Sequence, residues 1–546
     1  MHEARKFVFD NKIIDSPNDL REIQRDQLQH LALALRGFVG TIPVDKPAHR
    51  NSSLGVAELT VALHYWLNTP DDLLVFDVGH QSYAHKVLTN RAGEMHRLRQ
   101  IDGPSGFLLP SESPYDVFVT GHSSTSLSAM AGAAYADRIL KGSDTRRHAV
   151  VIGDGALTAG VAMEALNFIG EQNVPMIIVL NDNAYSIDVT RGALHEFQSY
   201  RQLAAAFGIE YYGPIQGHSV EEILCALENL PSNKPVLVHC KTQTPAVSSI
   251  PVLAPKSFAS AIERCLRSKM EVDERVVLIS PAMLSGAGWR GLERDFPKRV
   301  IDVGIAEQHA VAFCAGLIKA DKLPVCHIYS SFFQRAVDQF IHDIAIAQLP
   351  VIFLIDRAGL VGEDGPTHHG VFDWPVLLSV PETKVIAPTT PERAAAFLSQ
   401  NIGQNECPIV IRYPRDGIVD CFHFERKTGS DSALVYFGAL GQWVCDTDLA
   451  LNTDWDVVPI ESIDEDWAQL NAYKRLVFFQ DCAEFGGPAS RVLQKLSQQI
   501  QILPQYLVIA LPQEFVPHGN LADLHRSFGL DPESVALRIS KWMQRR

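Results

Sequence analysis

Residues 148–183 constrain this chain more than any other stretch. HAVVIGDG is a β-branched apolar run that ends on Gly153-Asp154-Gly155, and beyond Thr158 the apolar positions recur at helical spacing through Ile169. A second apolar run, PMIIVL, opens at Pro175 and stops at Asn181-Asp182-Asn183. Two such runs joined by a helix-length segment predict two parallel strands linked by a right-handed crossover. Both polar ends then lie at the carboxyl edge of one sheet, where open α/β sheets bind ligands. A helix expected to open near Gly155 would add free N–H groups and a positive dipole end suited to phosphate.

Magnesium takes oxygen ligands in a near-octahedral shell, commonly one or two side chains with water and phosphate oxygens for the rest. Asp154 offers charge, Asn183 a neutral oxygen, and the carbonyl of Tyr185 a third position. Either triplet alone is an ordinary turn or loop. Their placement, each ending a strand of one crossover unit, points to a cation and a diphosphate.

The triplet pair Gly153-Asp154-Gly155 and Asn181-Asp182-Asn183 is similar to the thiamine diphosphate motif. With LGVAELTVALHY (Leu54–Tyr65), FDVGHQSYAHK (Phe76–Lys86), TGHSSTSLSA (Thr120–Ala129), IAEQHAV (Ile305–Val311), YSSFFQRAVDQ (Tyr329–Gln339), DRAGLVGEDGPTHHGVFD (Asp356–Asp373) and RYPR (Arg412–Arg415) in this order, the chain resembles the 1-deoxy-D-xylulose-5-phosphate synthases over nearly its whole length. The resemblance implies an α/β, three-domain transketolase-like architecture, each domain a mainly parallel sheet flanked by helices. It also implies thiamine diphosphate and Mg2+ as cofactors. For the metal it implies Asp154, Asn183 and Tyr185; for the cofactor, His80, His122, Ser123, Ser124, Gly153, Gly155, Ala156, Asn183, Glu307 and Phe332. For substrates it implies His49, Tyr329, Arg335, Arg357, Asp364, His368 and Arg412, with Glu307, His49, His80 and His368 as catalytic groups. In such enzymes a glutamate hydrogen-bonds the aminopyrimidine ring of the cofactor, and Glu307 matches it.

Chemistry agrees with those assignments, though each residue has a plainer reading. Glu307 opens a helix, where a carboxylate is a common dipole partner, but its neighbours are apolar. His49, His80 and His122 follow the loop-like signals PAH, VGH and TGH, and their pKa range suits proton exchange at a carbonyl. Arginine forks suit phosphorylated acceptors, whereas a lone arginine is more often a surface ion pair. Gly286–Gly291 satisfies G-x-G-x-x-G but stands away from its strand with no ribose-binding acid following, so it reads as a loop. His368-His369 is a poor metal pair, because adjacent side chains seldom converge on one ion.

At 546 residues the chain exceeds one core. Strand-like runs place the diphosphate- and Mg-binding domain at 1–245, a Pro/Ser-rich linker at 246–271, a pyrimidine-binding domain at 272–420 and a shortened transketolase C-terminal-like domain at 421–546. The strands expected are LLVFDVG, HAVVIGDG, PMIIVLNDN and KPVLVHC in the first domain, six runs in the second, and SALVYFG, RLVFFQD and QYLVIALP in the third. A formal charge of -15 argues against nucleic-acid or anionic-membrane partners. No run reaches the roughly 18 apolar residues of a spanning helix, and the amino end lacks a secretory signal core. Nine cysteines without a C-x-x-C pair fit a reducing compartment, so a cytoplasmic enzyme is expected.

The chain departs from the family it resembles in four places, two of them Ala48 in place of the usual glycine before His49 and a third domain abbreviated around GQWVCDTDLALN. After Gly192-Ala193-Leu194 it runs almost at once into FGIEYYGPIQGH, where relatives carry several tens of residues more. After KPVLVHC it lacks a histidine that relatives place near substrate. The expected activity is thiamine diphosphate-dependent decarboxylation of pyruvate and condensation with D-glyceraldehyde 3-phosphate to 1-deoxy-D-xylulose 5-phosphate, by a homodimer. The departures keep two alternatives open: the same donor with a different aldehyde acceptor, and a noncatalytic homologue.

Overall fold

The computed structural model of the protein describes residues 6–43, 47–140, 142, 146–184, 190–196, 199–245, 256–415, 423–465 and 467–544. The chain divides into two compact units, Met1–Ser249 and Ile250–Arg546.

Unit 1 is built on five strands: β1 (Leu73–Phe76), β2 (His148–Gly153), β3 (Ile177–Asp182), β4 (Glu210–Gln216) and β5 (Val236–Lys241). Their order is β1-β2-β3-β5-β4, and every pairing is parallel. The central strands β2 and β3 are buried along almost their whole length, as a sheet covered on both faces requires. The crossover between them is the helix Gly160–Glu171, which turns Ala162, Ala165, Leu166 and Ile169 into the core at the spacing read from sequence.

That helix does not open near Gly155. Asp154–Leu157 forms a separate single turn; the Thr158 hydroxyl donates to the Gly155 carbonyl at 2.8 Å, and Ala159 is extended with ψ 151°. The expected dipole end beside Gly155 is therefore one turn long. The strand β4 is not evident from sequence either. It carries Pro214 and takes the sheet edge, where a missing N–H costs no ladder bond.

Unit 2 holds two sheets, again parallel throughout. The first contains β6 (Val276–Ser280), β7 (Val300–Asp302), β8 (Leu323–Tyr329), β9 (Ile352–Ala358), β10 (Lys384–Ile386) and β11 (Ile409–Pro414), in the order β10-β11-β9-β8-β6-β7. The second contains β12 (Ser432–Phe437), β13 (Asp456–Ile460), β14 (Arg475–Ala483) and β15 (Gln505–Leu511), in the order β13-β12-β14-β15. One apolar cluster, running from Val277 through Phe353 and Trp374 to Phe437 and Leu496, joins the two sheets. All six runs read for the first sheet, and the three for the second, are strands. The exception is β13, whose DVVPI again carries a proline on an edge.

Residues 258–272, in the stretch read as the end of a linker, form the helix Phe258–Val272. Ser257 and Ser260 close a reciprocal cap at its start, and its buried face includes Phe258, Ile262, Leu266 and Met270. Polar Arg and Glu positions on the other face mask that periodicity in a Pro/Ser-flanked context.

Candidate functional site

Gly153 pairs with Asn181 across β2 and β3, so the strands end level and their polar triplets share one edge. Asp154 is fully buried, and neither of its carboxylate oxygens has a hydrogen-bond partner among the described residues. Burial, followed by the charge of Asp182, pushes Asp154 up to about 6. An unpaired buried carboxylate is costly unless a cation takes it, so this donor fits a divalent ion held through oxygen.

The end of β3 is tied to its neighbours residue by residue. Asn181 donates to Gln81 Oε1 at 2.9 Å and accepts from the Thr242 hydroxyl. Asp182 Oδ2 lies 2.9 Å from Nε2 of His239, whose Nδ1 lies 2.7 Å from the Tyr211 hydroxyl. The Asn183 amide nitrogen donates to Thr244 Oγ1 at 2.9 Å. Tyr185, read as a carbonyl ligand, lies outside the described residues. A histidine outside the sequence reading, and an aspartate read as part of the triplet but not as a ligand, stand beside Asp154: Asp154, Asp182 and His195 bring one ligand atom each within 4.8 Å of one another. Asp182 had a signal, its position at the strand end between two asparagines; His195 had none.

The histidine-bearing segments also meet in unit 1. The His49 and His80 rings are 5.7 Å apart, and Nδ1 of His49 lies 2.6 Å from Nη2 of Arg99. Burial, with the Arg99 charge adding to it, pushes His80 down to about 4. His49 does not follow a loop: Pro47–Leu54 is a helix, and His49 sits in its first turn. His122 precedes the tight turn that carries Ser123 and Ser124. Ser124 adopts φ +78°, held by its N–H on both Asp77 oxygens at 2.7 and 2.9 Å and by its hydroxyl on the Ala156 carbonyl at 2.8 Å. Asp77 therefore fixes this turn against the Gly155-Ala156 backbone, a role hidden in FDVGH because a buried aspartate beside an apolar strand looks like a loop start.

In unit 2, Glu307 is the first residue of the helix Glu307–Lys319 and is buried. Its Oε2 makes no hydrogen bond among the described residues, and Nε of Arg335 stands 3.4 Å away. Burial raises the Glu307 pKa, with Arg335 opposing it. Phe332 stacks on Tyr329 at 5.5 Å and meets the His368 ring edge-on at 5.5 Å. The Arg357 guanidinium lies 3.8 Å over the Tyr329 ring and donates to the Gly286 carbonyl at 3.0 Å. Of the Gly286–Gly291 segment, read as a loop, residues 286–289 are irregular and Arg290-Gly291 open the helix Arg290–Asp295; a Cβ at Gly286 would fall 2.2 Å from the Tyr329 hydroxyl. Asp364 and His368 lie in one turn-rich segment, where the His368 N–H donates to the Gly365 carbonyl at 2.9 Å. His369 is buried with Nδ1 accepting from the Val361 N–H and Nε2 on the Pro517 carbonyl, so no metal pair forms with His368.

Arg412 lies opposite Ile355, at the same end of the sheet as Tyr329 and Arg357. It is buried within β11, its Nε and Nη2 on Asp373 at 3.0 and 3.3 Å and its Nη1 on Asp481 at 3.1 and 3.2 Å. Burial alone would lower its pKa; the charges of Asp373 and Asp481 outweigh it and raise it.

A family model described as 1-deoxy-D-xylulose-5-phosphate synthase matches residues 12–204, and one described as transketolase, pyrimidine binding domain, matches residues 254–418. A protein named 1-deoxy-D-xylulose-5-phosphate synthase from Neisseria gonorrhoeae is 36% identical over 97% of this chain and 98% of its own length. One of that name from Albidiferax ferrireducens is 38% identical over 97% of this chain and 96% of its own. The crystal structure of transketolase from Campylobacter jejuni is matched over 95% of this chain and 100% of its own, at 16% identity and a TM-score of 0.46. The Neisseria alignment runs over 626 positions against a chain of 546 residues, so that relative carries segments this chain lacks. With more than a third of positions identical along nearly the full length of both proteins, the chain belongs to the 1-deoxy-D-xylulose-5-phosphate synthase family.

Proposed function

We propose that this chain is a transketolase-type transferase that joins pyruvate, with loss of carbon dioxide, to D-glyceraldehyde 3-phosphate and yields 1-deoxy-D-xylulose 5-phosphate. Family membership supports the reaction, and the observation that carries it into this chain's own chemistry is Asp154, a fully buried carboxylate with both oxygens unpaired at the end of β2. Thiamine diphosphate, when bound, supplies the nucleophilic carbon and the electron sink for decarboxylation. Unit 1 carries the residues for the cation and diphosphate: Asp154, Asn183, Gly153, Gly155 and Ala156, with Ser123 and Ser124 on the turn held by Asp77. Unit 2 carries Glu307 and Phe332 for the aminopyrimidine ring. Burial favours the protonated Glu307 carboxyl, which can hold a proton at Oε2 toward a ring nitrogen. His80, with its pKa pushed down to about 4, is a neutral imidazole at pH 7 and can donate or accept at a reacting carbonyl. Tyr329, Phe332 and His368 form one aromatic cluster in unit 2, on the same unit as Glu307.

Mg2+ as the cation, a cytoplasmic setting and a homodimer belong to the same reading. The eight described cysteines are all free, which supports a reducing compartment. The test is a pyruvate-consumption assay with and without D-glyceraldehyde 3-phosphate, with the product identified. Carbon dioxide release without a five-carbon ketose phosphate would refute the acceptor half.

A second reading, the same donor with an acceptor that lacks phosphate, is favoured by Arg412, which spends Nε, Nη1 and Nη2 on Asp373 and Asp481. Comparing kcat/KM for D-glyceraldehyde 3-phosphate and unphosphorylated D-glyceraldehyde separates the two: a preference for the phosphorylated aldehyde discards the second.

A further inference from the structure

His195 has no part in the reaction proposed for this chain. It lies in the short helix Ala193–Glu196, and the side chain is 21% exposed while its Nδ1 atom is covered. That nitrogen makes no hydrogen bond among the described residues and stands 3.4 Å from Oδ2 of Asp154, whose own oxygens are equally unpartnered. Asp182 completes a group whose ligand atoms lie within 4.8 Å of one another. Around an ion with bonds of roughly 2.0–2.2 Å, ligand atoms are separated by about 3 Å when adjacent and about 4 Å when opposite. One ion can therefore reach all three after small side-chain rotations.

The surroundings are those of a ligand set. Asp182 is oriented by Nε2 of His239 at 2.9 Å, and His239 in turn by the Tyr211 hydroxyl at 2.7 Å. Such outer hydrogen bonds aim a carboxylate at a metal. A set of two carboxylates and one imidazole differs in kind from an all-oxygen set, because the nitrogen favours first-row transition ions, while Mg2+ is indifferent or averse to it.

We propose that Asp154, Asp182 and His195 form a cation site that binds a divalent ion before any diphosphate arrives, and that His195 makes it prefer Mn2+ or Co2+ over Mg2+. The inference rests on the cation role proposed for Asp154.

The full-length protein, freed of cofactor and metal, is titrated with Mn2+ while the free-ion EPR signal is followed, and Mg2+ is then used as competitor. One Mn2+ per chain is expected, bound at least tenfold more tightly than Mg2+. His195→Ala and His195→Gln should each reduce that preference to threefold or less while moving Mg2+ affinity by less than threefold; a circular-dichroism melt confirms that both fold. Wild-type protein loaded with Cu2+ should show imidazole 14N coupling that is lost in His195→Ala. An unchanged Mn2+/Mg2+ ratio in both variants, or no 14N coupling in the wild type, overturns the proposal. Mn2+ binding only when thiamine diphosphate is present also overturns it but leaves the role of Asp154 standing. No cation bound under either condition removes that role as well.

Discussion

Nε of Arg335 stands 3.4 Å from Oε2 of Glu307, a buried oxygen with no hydrogen bond among the described residues. Two residues read from sequence for different purposes, one for phosphate and one for the cofactor ring, are thus electrostatic partners. Arg335 restrains a carboxyl that burial would otherwise push further up.

Replacing Glu307 by Gln keeps the shape and removes the proton-holding group. Turnover should fall by about 10²–10⁴-fold, the usual worth of a positioned acid or base, while the melting temperature holds or rises because a buried ionisable group is gone. Steady-state kinetics beside a thermal melt decides it; a coincident collapse of both would mean a structural role. In Arg335→Ala the Glu307 pKa should rise, and the corresponding limb of the pH–rate profile should move to higher pH.

Asp154→Asn should separate cofactor binding from folding. The wild-type protein keeps a buried carboxylate with no hydrogen bond among the described residues, so the variant without cofactor should melt no lower than the wild type without cofactor. With Mg2+ and thiamine diphosphate at 100 times Kd, the wild type should gain about 2.7 kcal/mol and the variant almost nothing. Equal gains in the two proteins would show that Asp154 is not a ligand.

Arg412 carries a stability prediction of its own. Removing one partner of a buried ion pair leaves the other charge stranded, so Arg412→Ala should cost about 3–5 kcal/mol in urea unfolding. Asp481→Asn should cost far less, because Asp481 is partly exposed and Asp373 keeps the guanidinium paired. Comparable losses in the two variants would mean that Asp481, not Asp373, anchors the arginine.

The strands of this fold are legible where they are apolar and central, and illegible where a proline sits on an edge. β4 with Pro214 and β13 with Pro459 are two that the pattern hides, because a proline argues against a central strand and says little about an edge. The site divides in the same way. Asp154 and the Asn181–Asn183 triplet are visible because each ends an apolar run, which periodicity can find. His195, Arg99 and the ties of Asp77 are invisible, since they arise from approaches between segments remote in sequence. For Arg412 the strand and the burial are evident from PIVIRY, but the two carboxylates that take up its donors come from elsewhere in the unit.

A buried chain of histidines in unit 1 makes stability depend on pH. Nδ1 of His64 lies 2.9 Å from the Thr69 hydroxyl, its Nε2 lies 2.9 Å from Nδ1 of His85, and Nε2 of His85 lies 3.0 Å from Oδ1 of Asp116. The ionised carboxylate can only accept, so His85 must carry its proton on Nε2 and accept at Nδ1; His64 must then donate from Nε2 and accept the Thr69 proton at Nδ1. A second proton on His85 would set a donor against a donor, whereas one on His64 could be accepted by the Thr69 hydroxyl and is opposed by burial instead. Burial accordingly lowers both histidines, His64 furthest, and pushes His80 down to about 4. In the unfolded chain each titrates near 6.5, so below that pH the unfolded state binds protons that the folded state refuses. Stability therefore falls as the pH drops, by up to ~1.4 kcal/mol per pH unit for each such histidine. Asp154, pushed up to about 6, and Glu307 and Asp373, raised by burial, work in the opposite sense, while His148, His327, His369 and His525 are lowered as His64, His85 and His80 are. Chemical unfolding at pH 7.5, 6.5 and 5.5 should show a loss that steepens toward acid, and a flat profile would contradict this order of protons along the chain. His64→Gln, which keeps polar contacts but cannot titrate, should start lower in stability at pH 7.5 and lose less on going to pH 5.5, because the side chain that refuses the proton when folded is no longer there to take it when unfolded.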